Sequence, residues 1–346
     1  MNDLFPPENP KSEIIDHKFR SSMNGKPVHQ VPAKSVLNLD SGFKHKLLCD
    51  GPTFSAGSAC AYSCAFCYVP DLMRKNPHMR GIDQKHEEIV IRRDGAVEAM
   101  RAQLLDRRGR SRFPDPEDRR VIYASPLVDV AANLALVDET IELCRLILGF
   151  THWQIRLLSK STLLPRIAQA FDDHNSRERV IYGVSTGTLN DGIARAIEAG
   201  TPLVSKRLQS LHWLQDNGYR TFGMICPSLP QEDYGVFARD MATAIRADRC
   251  EHVWAEVINA RGESFLRTYS ALADATYQTE AEAFRTISQD KSEWEKYARD
   301  TFLAHASIYA GQLGPDRTPK LRFLQYVTKD TEPWWKERIA QGAILL

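Results

Sequence analysis

The chain has 346 residues, 45 Lys plus Arg against 44 Asp plus Glu, a formal charge of +1 and 43% hydrophobic residues. This composition supports a large apolar core and excludes a global electrostatic attraction to nucleic acid or acidic membranes, so any basic surface must be local. Apolar runs such as residues 253–258 fall far short of the roughly twenty residues of a membrane span. The polar opening MNDLFPPENPKSEII lacks the apolar segment of a secretory leader, which predicts a cytoplasmic protein with no membrane partner.

Residues 1–45 carry Pro6, Pro7, Pro10, Pro27 and Pro32 without sustained periodicity and predict an extended arm. Short β-rich runs then alternate with helical patterns. Strands are predicted at 45–48, 121–125, 154–158, 180–185, 220–225 and 253–258. Between them, Val137, Ile141, Cys144 and Leu148 share one helical face, as do Val204, Leu208, Leu211 and Trp213 or Leu214, with Gly218 placed to end the second helix. Strands alternating with helices force parallel pairing through right-handed crossovers. Six such units over residues 46–270 predict an α/β fold, a partial (β/α)6 TIM-like barrel whose chemistry sits in the loops after the strands. Residues 271–346 predict a C-terminal extension. It comprises a long helical stretch over 277–311, with Phe284, Ile287, Trp294, Tyr297 and Phe302, then the extended, basic-aromatic KLRFLQYVTK of residues 320–329.

Three of the seven cysteines fall within eight residues: Cys60, Cys64 and Cys67 are spaced C-x3-C-x2-C in a loop rich in Gly, Ser and Ala. This is not the framework of a disulfide-stapled domain and points to metal. Thiolates suit zinc or iron–sulfur clusters, and a four-iron cubane normally takes four cysteines, so three would leave one iron open to a small molecule. The alternative is a structural zinc completed by Cys49, His78 or His86, in a non-catalytic binding module.

The cysteine spacing, with Phe66 just before the third cysteine, resembles the signature of the radical S-adenosylmethionine (radical SAM) superfamily. Further along, IEAGTPLVSKR, with Glu198, Gly200, Thr201, Lys206 and Arg207, is similar to the E-P-G-T-x-x-x-x-K-R block of spore photoproduct lyases and photolyase-like proteins; LLSKS and YGVST at two strand ends add to the likeness. The resemblance implies a 4Fe-4S cluster on Cys60, Cys64 and Cys67, with SAM on its open iron. It also implies an electron donor such as flavodoxin or ferredoxin, and hydrogen abstraction from a nucleobase, nucleoside or nucleic acid. A peptide or small metabolite is the alternative substrate.

The resemblance further implies cofactor contacts for Phe66, Lys160, Ser185 and Ser125, although serines at strand ends also serve as caps and turn residues. It brings Glu198 and Arg207 together over the barrel mouth, either as a catalytic pair or as a stabilising ion pair. Tyr68 either contacts the cofactor and relays a hydrogen atom or packs in its loop. The lyases' hydrogen-returning cysteine is absent, because Ala124 stands at its expected place. Cys226 could replace it, or be a small core residue. For a DNA or RNA partner, the local basic stretches are RRGRSRFPDPEDRR (residues 107–120) and KLRFLQYVTK, with Trp334 and Trp335 as a candidate stacking platform or simple packing.

Overall fold

The computed structural model describes residues 22–23, 25–73, 88–124, 126–258 and 263–346. Its strands in chain order are β1 (Ser22–Met23), β2 (Lys26–Pro32), β3 (Leu37–Asn38), β4 (Thr53–Phe54), β5 (Gly57–Ala59), β6 (Val90–Asp94) and β7 (Val121–Ala124). There follow β8 (Gln154–Ser159), β9 (Val180–Ser185), β10 (Arg220–Ser228), β11 (Val253–Val257), β12 (Leu321–Gln325) and β13 (Ala343–Leu345). The main sheet runs β13-β12-β11-β10-β9-β8-β7-β4-β3. Pairing is parallel throughout from β4 to β13, and β3 alone joins antiparallel. Intervening helices cover its outer face, the partial TIM-like barrel expected from the βα alternation.

Five predicted strands are present, with small shifts at their ends, while the first was misplaced. Residues 45–48 read as apolar and extended, but Gly42–Lys46 form a 3-10 turn. The Ser41 side chain accepts from the Phe43 N–H, and left-handed Leu47 closes the turn. The barrel opens instead on the two-residue β4. The misread run enters the lumen, where Leu48 and Cys49 pack with Tyr123, Ile181, Phe222, Met224, Trp254 and Leu324. Arg156 and Arg322 stack on Trp254, each 4.8 Å from its ring centre, and both guanidinium groups donate to the Leu47 carbonyl. Residues that alternate with these along the strands point outward into a larger core: Ile122 and Ala124 on β7, Val184 on β9 and Ile225 on β10.

Two further expectations change. Part of the arm is built into a second sheet, β1-β2-β6-β5, in which β2 pairs in parallel with β6. The helical stretch 277–311 is two helices, Gln278–Gln289 and Lys291–Ile308, because extended Asp290 breaks the ladder and caps the second helix through the Ser292 N–H at 2.7 Å.

The two basic stretches are divided between opposite ends of the sheet, residues 326–329 following the C-terminal end of β12. KLRFLQ is an interior strand flanked by β11 and β13, with Lys320 and Arg322 buried and Arg322 bonded to Asp316. Arg107, Arg108 and Arg110 occupy a turn closed by Asp106 just before β7, hence at the sheet end opposite the post-strand loops. Trp335 is buried against Phe302 and Phe323, and Trp334 lies under the Arg338 guanidinium. Among the described residues no helix is long and apolar enough to cross a membrane.

Two buried histidines predict acid lability. Burial pushes the His305 pKa down to about 4, and burial together with Arg322 does the same to His252. Unfolded, both would titrate near 6.5. Between pH 6.5 and 4 the unfolded chain therefore binds more protons, so stability rises with pH across that window, by at most roughly 3 kcal/mol per histidine. Urea unfolding at stepped pH should show this slope. The His305→Leu substitution removes a ring whose two nitrogens have no partner and should roughly halve the slope; an unchanged slope would refute the assignment.

Candidate active site

Because the barrel strands are parallel, their C-terminal ends share one face, and the cysteine loop between β5 and the helix Val69–Met73 lies there. Cys60, Cys64 and Cys67 are all half-buried free thiols. The loop is pinned from three directions. The Ala65 N–H donates to the Ile197 carbonyl at 2.8 Å and the Gly200 N–H to the Tyr62 carbonyl at 3.0 Å; Arg267 donates to the Ala65 and Cys67 carbonyls at 3.1 and 2.8 Å. Gly200 permits this approach, since a Cβ there would lie 2.8 Å from Tyr62 Cα.

The rest of the site reaches the loop from neighbouring strand ends. Asp129, after β7, accepts from the Ser159 hydroxyl and the Lys160 backbone N–H, both at 2.7 Å. That anchors the end of β8. The Lys160 ammonium then lies 5.4 Å from the centre of the Phe66 ring, donates to Ser185 Oγ at 3.1 Å and is 3.8 Å from Glu198 Oε1. Burial opposes its charge, but Glu198 and Cys64 outweigh burial and hold its pKa above the usual lysine value. The Ser185 hydroxyl in turn donates to the Cys226 carbonyl at 3.3 Å.

Glu198 and Arg207 do meet, both buried, with Glu198 also beside the Lys160 ammonium. Arg207 is fully buried and donates to Glu198, to Thr201 Oγ1 at 2.6 Å, to the Pro202 carbonyl at 2.8 Å and to the Ser185 carbonyl at 3.2 Å. Only one guanidinium nitrogen reaches the carboxylate, so the contact is not the expected bidentate fork. These bonds tie the segment 198–202, between the helices Asp191–Ile197 and Val204–Asp216, to the end of β9.

Tyr68 is 44% exposed and donates to the Pro126 carbonyl at 2.6 Å. Cys226 lines the lumen with its thiol 3.6 Å from Glu256 Oε2. Ala124 belongs to the outer core, so a side chain at that position would point away from the lumen. Ser125, His78 and His86 lie outside the described residues. Residue-type reasoning overlooked Asp129, Arg267, Glu256 and Lys46. Only Glu256 left a signal, a lone charge inside the apolar run VWAEV.

The donor set fits a cluster. Burial pushes all three thiols up, Cys67 to about 11, while Lys160 places a positive charge beside Cys64 and Cys67 that favours their thiolates. Among the described residues no three His, Cys, Asp or Glu side chains converge as ligands of a single metal ion. The ligands of a cubane each take a separate iron and need not converge.

No protein-family model and no curated protein sequence matches the chain. Among solved structures it is similar to a spore photoproduct lyase complexed with dinucleoside spore photoproduct, at 10% identity and a TM-score of 0.50. The match covers 71% of this chain and 66% of that one, just under two thirds of its length. Streptococcus suis SuiB bound to precursor peptide SuiA also matches, at 9% identity and a TM-score of 0.33, covering 66% of this chain and 46% of that one. The chain therefore shares the partial-barrel fold of that spore photoproduct lyase structure.

Proposed function

We propose that this protein is a radical SAM enzyme that removes a hydrogen atom from a nucleobase, carried by a nucleoside or a nucleic acid. The observation that carries the reading is three free thiols on one short loop with the Lys160 charge felt at Cys64 and Cys67 and the Lys160 ammonium bonded to Ser185. Cys60, Cys64 and Cys67 would hold a 4Fe-4S cluster, and the Lys160 ammonium and Ser185 hydroxyl would pair with the carboxylate and ribose oxygens of SAM. When bound, the reduced cluster and SAM supply a carbon radical able to break an unactivated C–H bond. The protein's own residues orient that chemistry. Phe66 and Lys160 border the cofactor position, Asp129 fixes the end of β8 that presents Lys160, and the lumen wall of Tyr68, Tyr123 and Cys226 meets the substrate. Cys226, which lines the lumen beside Glu256, would return a hydrogen atom. A low-potential protein such as a flavodoxin or ferredoxin would deliver the electron, in the cytoplasm.

The test is anaerobic reconstitution with iron and sulfide, reduction, and measurement of 5′-deoxyadenosine formed from SAM. Lys160→Ala should weaken SAM binding at least tenfold while iron content stays at the wild-type level, as expected for a residue that touches ligand and not metal. Loss of iron in this variant would make Lys160 structural, and a colourless protein that forms no 5′-deoxyadenosine would end the proposal.

A further inference from the structure

Lys46 and Glu256 come from a turn and a strand more than two hundred residues apart and meet in the lumen beside Cys226. Lys46 Nζ lies 3.4 Å from Glu256 Oε1 and 5.5 Å from the centre of the Tyr326 ring. The turn is fixed by the Trp254 indole, which donates to the Lys46 carbonyl at 2.9 Å. Two residues along β11 from Trp254, Glu256 faces the same lumen one step nearer the mouth. It comes close to the cysteine loop, since its charge is felt at Tyr68 as is that of Cys67.

The side chains are 21% and 14% exposed, and the lumen around them is lined by Phe222, Met224, Trp254, Leu324 and Tyr123, with the Arg156 and Arg322 guanidiniums stacked on Trp254. A partly buried ion pair there contributes little stability. Beyond the one long contact that joins them, Glu256 accepts from the Cys226 thiol at 3.6 Å and Lys46 bonds to the Tyr326 side chain. An ammonium has three donors and a carboxylate about four acceptor sites, so both heads keep capacity for a ligand.

We propose that Lys46 and Glu256 are the specificity-determining pair of the site, reading the lactam edge of a nucleobase. The ammonium donates to the ring carbonyl and the carboxylate accepts from the adjacent ring N–H, with the Tyr326, Tyr123 and Tyr68 rings offering apolar faces. Uracil, thymine and guanine present that edge, whereas cytosine and adenine do not. The inference rests on the radical SAM reading of the site and adds the pair that selects the substrate.

The test uses cluster-loaded full-length protein and equilibrium binding of thymidine, 3-methylthymidine, cytidine and N-acetylglycine N-methylamide. Thymidine should bind at least tenfold more tightly than 3-methylthymidine or cytidine. In Glu256→Gln, whose carboxamide can donate to the cytosine ring nitrogen, the thymidine-to-cytidine preference should fall at least tenfold at unchanged iron content. Failure of thymidine to bind, equal binding of the three nucleosides, preference for the peptide amide, or an unchanged ratio in Glu256→Gln would each overturn the proposal. Formation of 5′-deoxyadenosine by wild-type protein is scored separately, so failure of the radical chemistry and failure of the pair are told apart.

Discussion

Cys64→Ala is expected to abolish 5′-deoxyadenosine formation and to lower bound iron and sulfide well below wild type after anaerobic reconstitution. In the proposed cluster Cys64 lies between the other two cysteines in sequence and feels the Lys160 charge, each thiolate taking its own iron. Removing one donor leaves a second iron open and the cluster prone to loss, an effect on turnover of several orders of magnitude. Cys144→Ala serves as the control, because Cys144 is buried in the outer core on the helix Leu134–Phe150, and it should retain iron and turnover. Persistent turnover in Cys64→Ala would refute the cluster assignment.

Arg207→Met should destabilise the fold by about 3–5 kcal/mol, the typical cost of leaving a buried carboxylate without its partner. The loss falls on Glu198 and also strips donors from Thr201, Pro202 and Ser185. Urea unfolding measures it. Glu198→Gln should cost less, about 1–3 kcal/mol, because a carboxamide oxygen still accepts from the guanidinium. Turnover should fall in Arg207→Met even where the protein remains folded, since the Ser185 strand end loses its anchor. A change below about 1 kcal/mol would mean that the pair does not support the loop.

The meeting of Lys160 with Ser185 at neighbouring strand ends was legible because it depends on where β-rich runs end. The helices Leu134–Phe150 and Val204–Asp216 were equally plain, each showing one apolar stripe, the first capped by Asn133 and the second followed by left-handed Gly218. Residues 45–48 misled because an apolar run that fills a barrel and one that forms its wall have the same composition. KLRFLQYVTK misled in the opposite direction: Arg322 looks like surface charge until Asp316 and the Trp254 ring are found beside it.

From sequence alone came the βα order, the parallel sheet that this order enforces and the thiol trio, all consequences of short-range periodicity and spacing. Tertiary structure decided which charges are buried, that Arg207 braces a loop, that Ala124 faces outward and that Lys46 meets Glu256 across 210 positions. Such pairings depend on where the strands end and how they twist around a shared lumen, which no local pattern records.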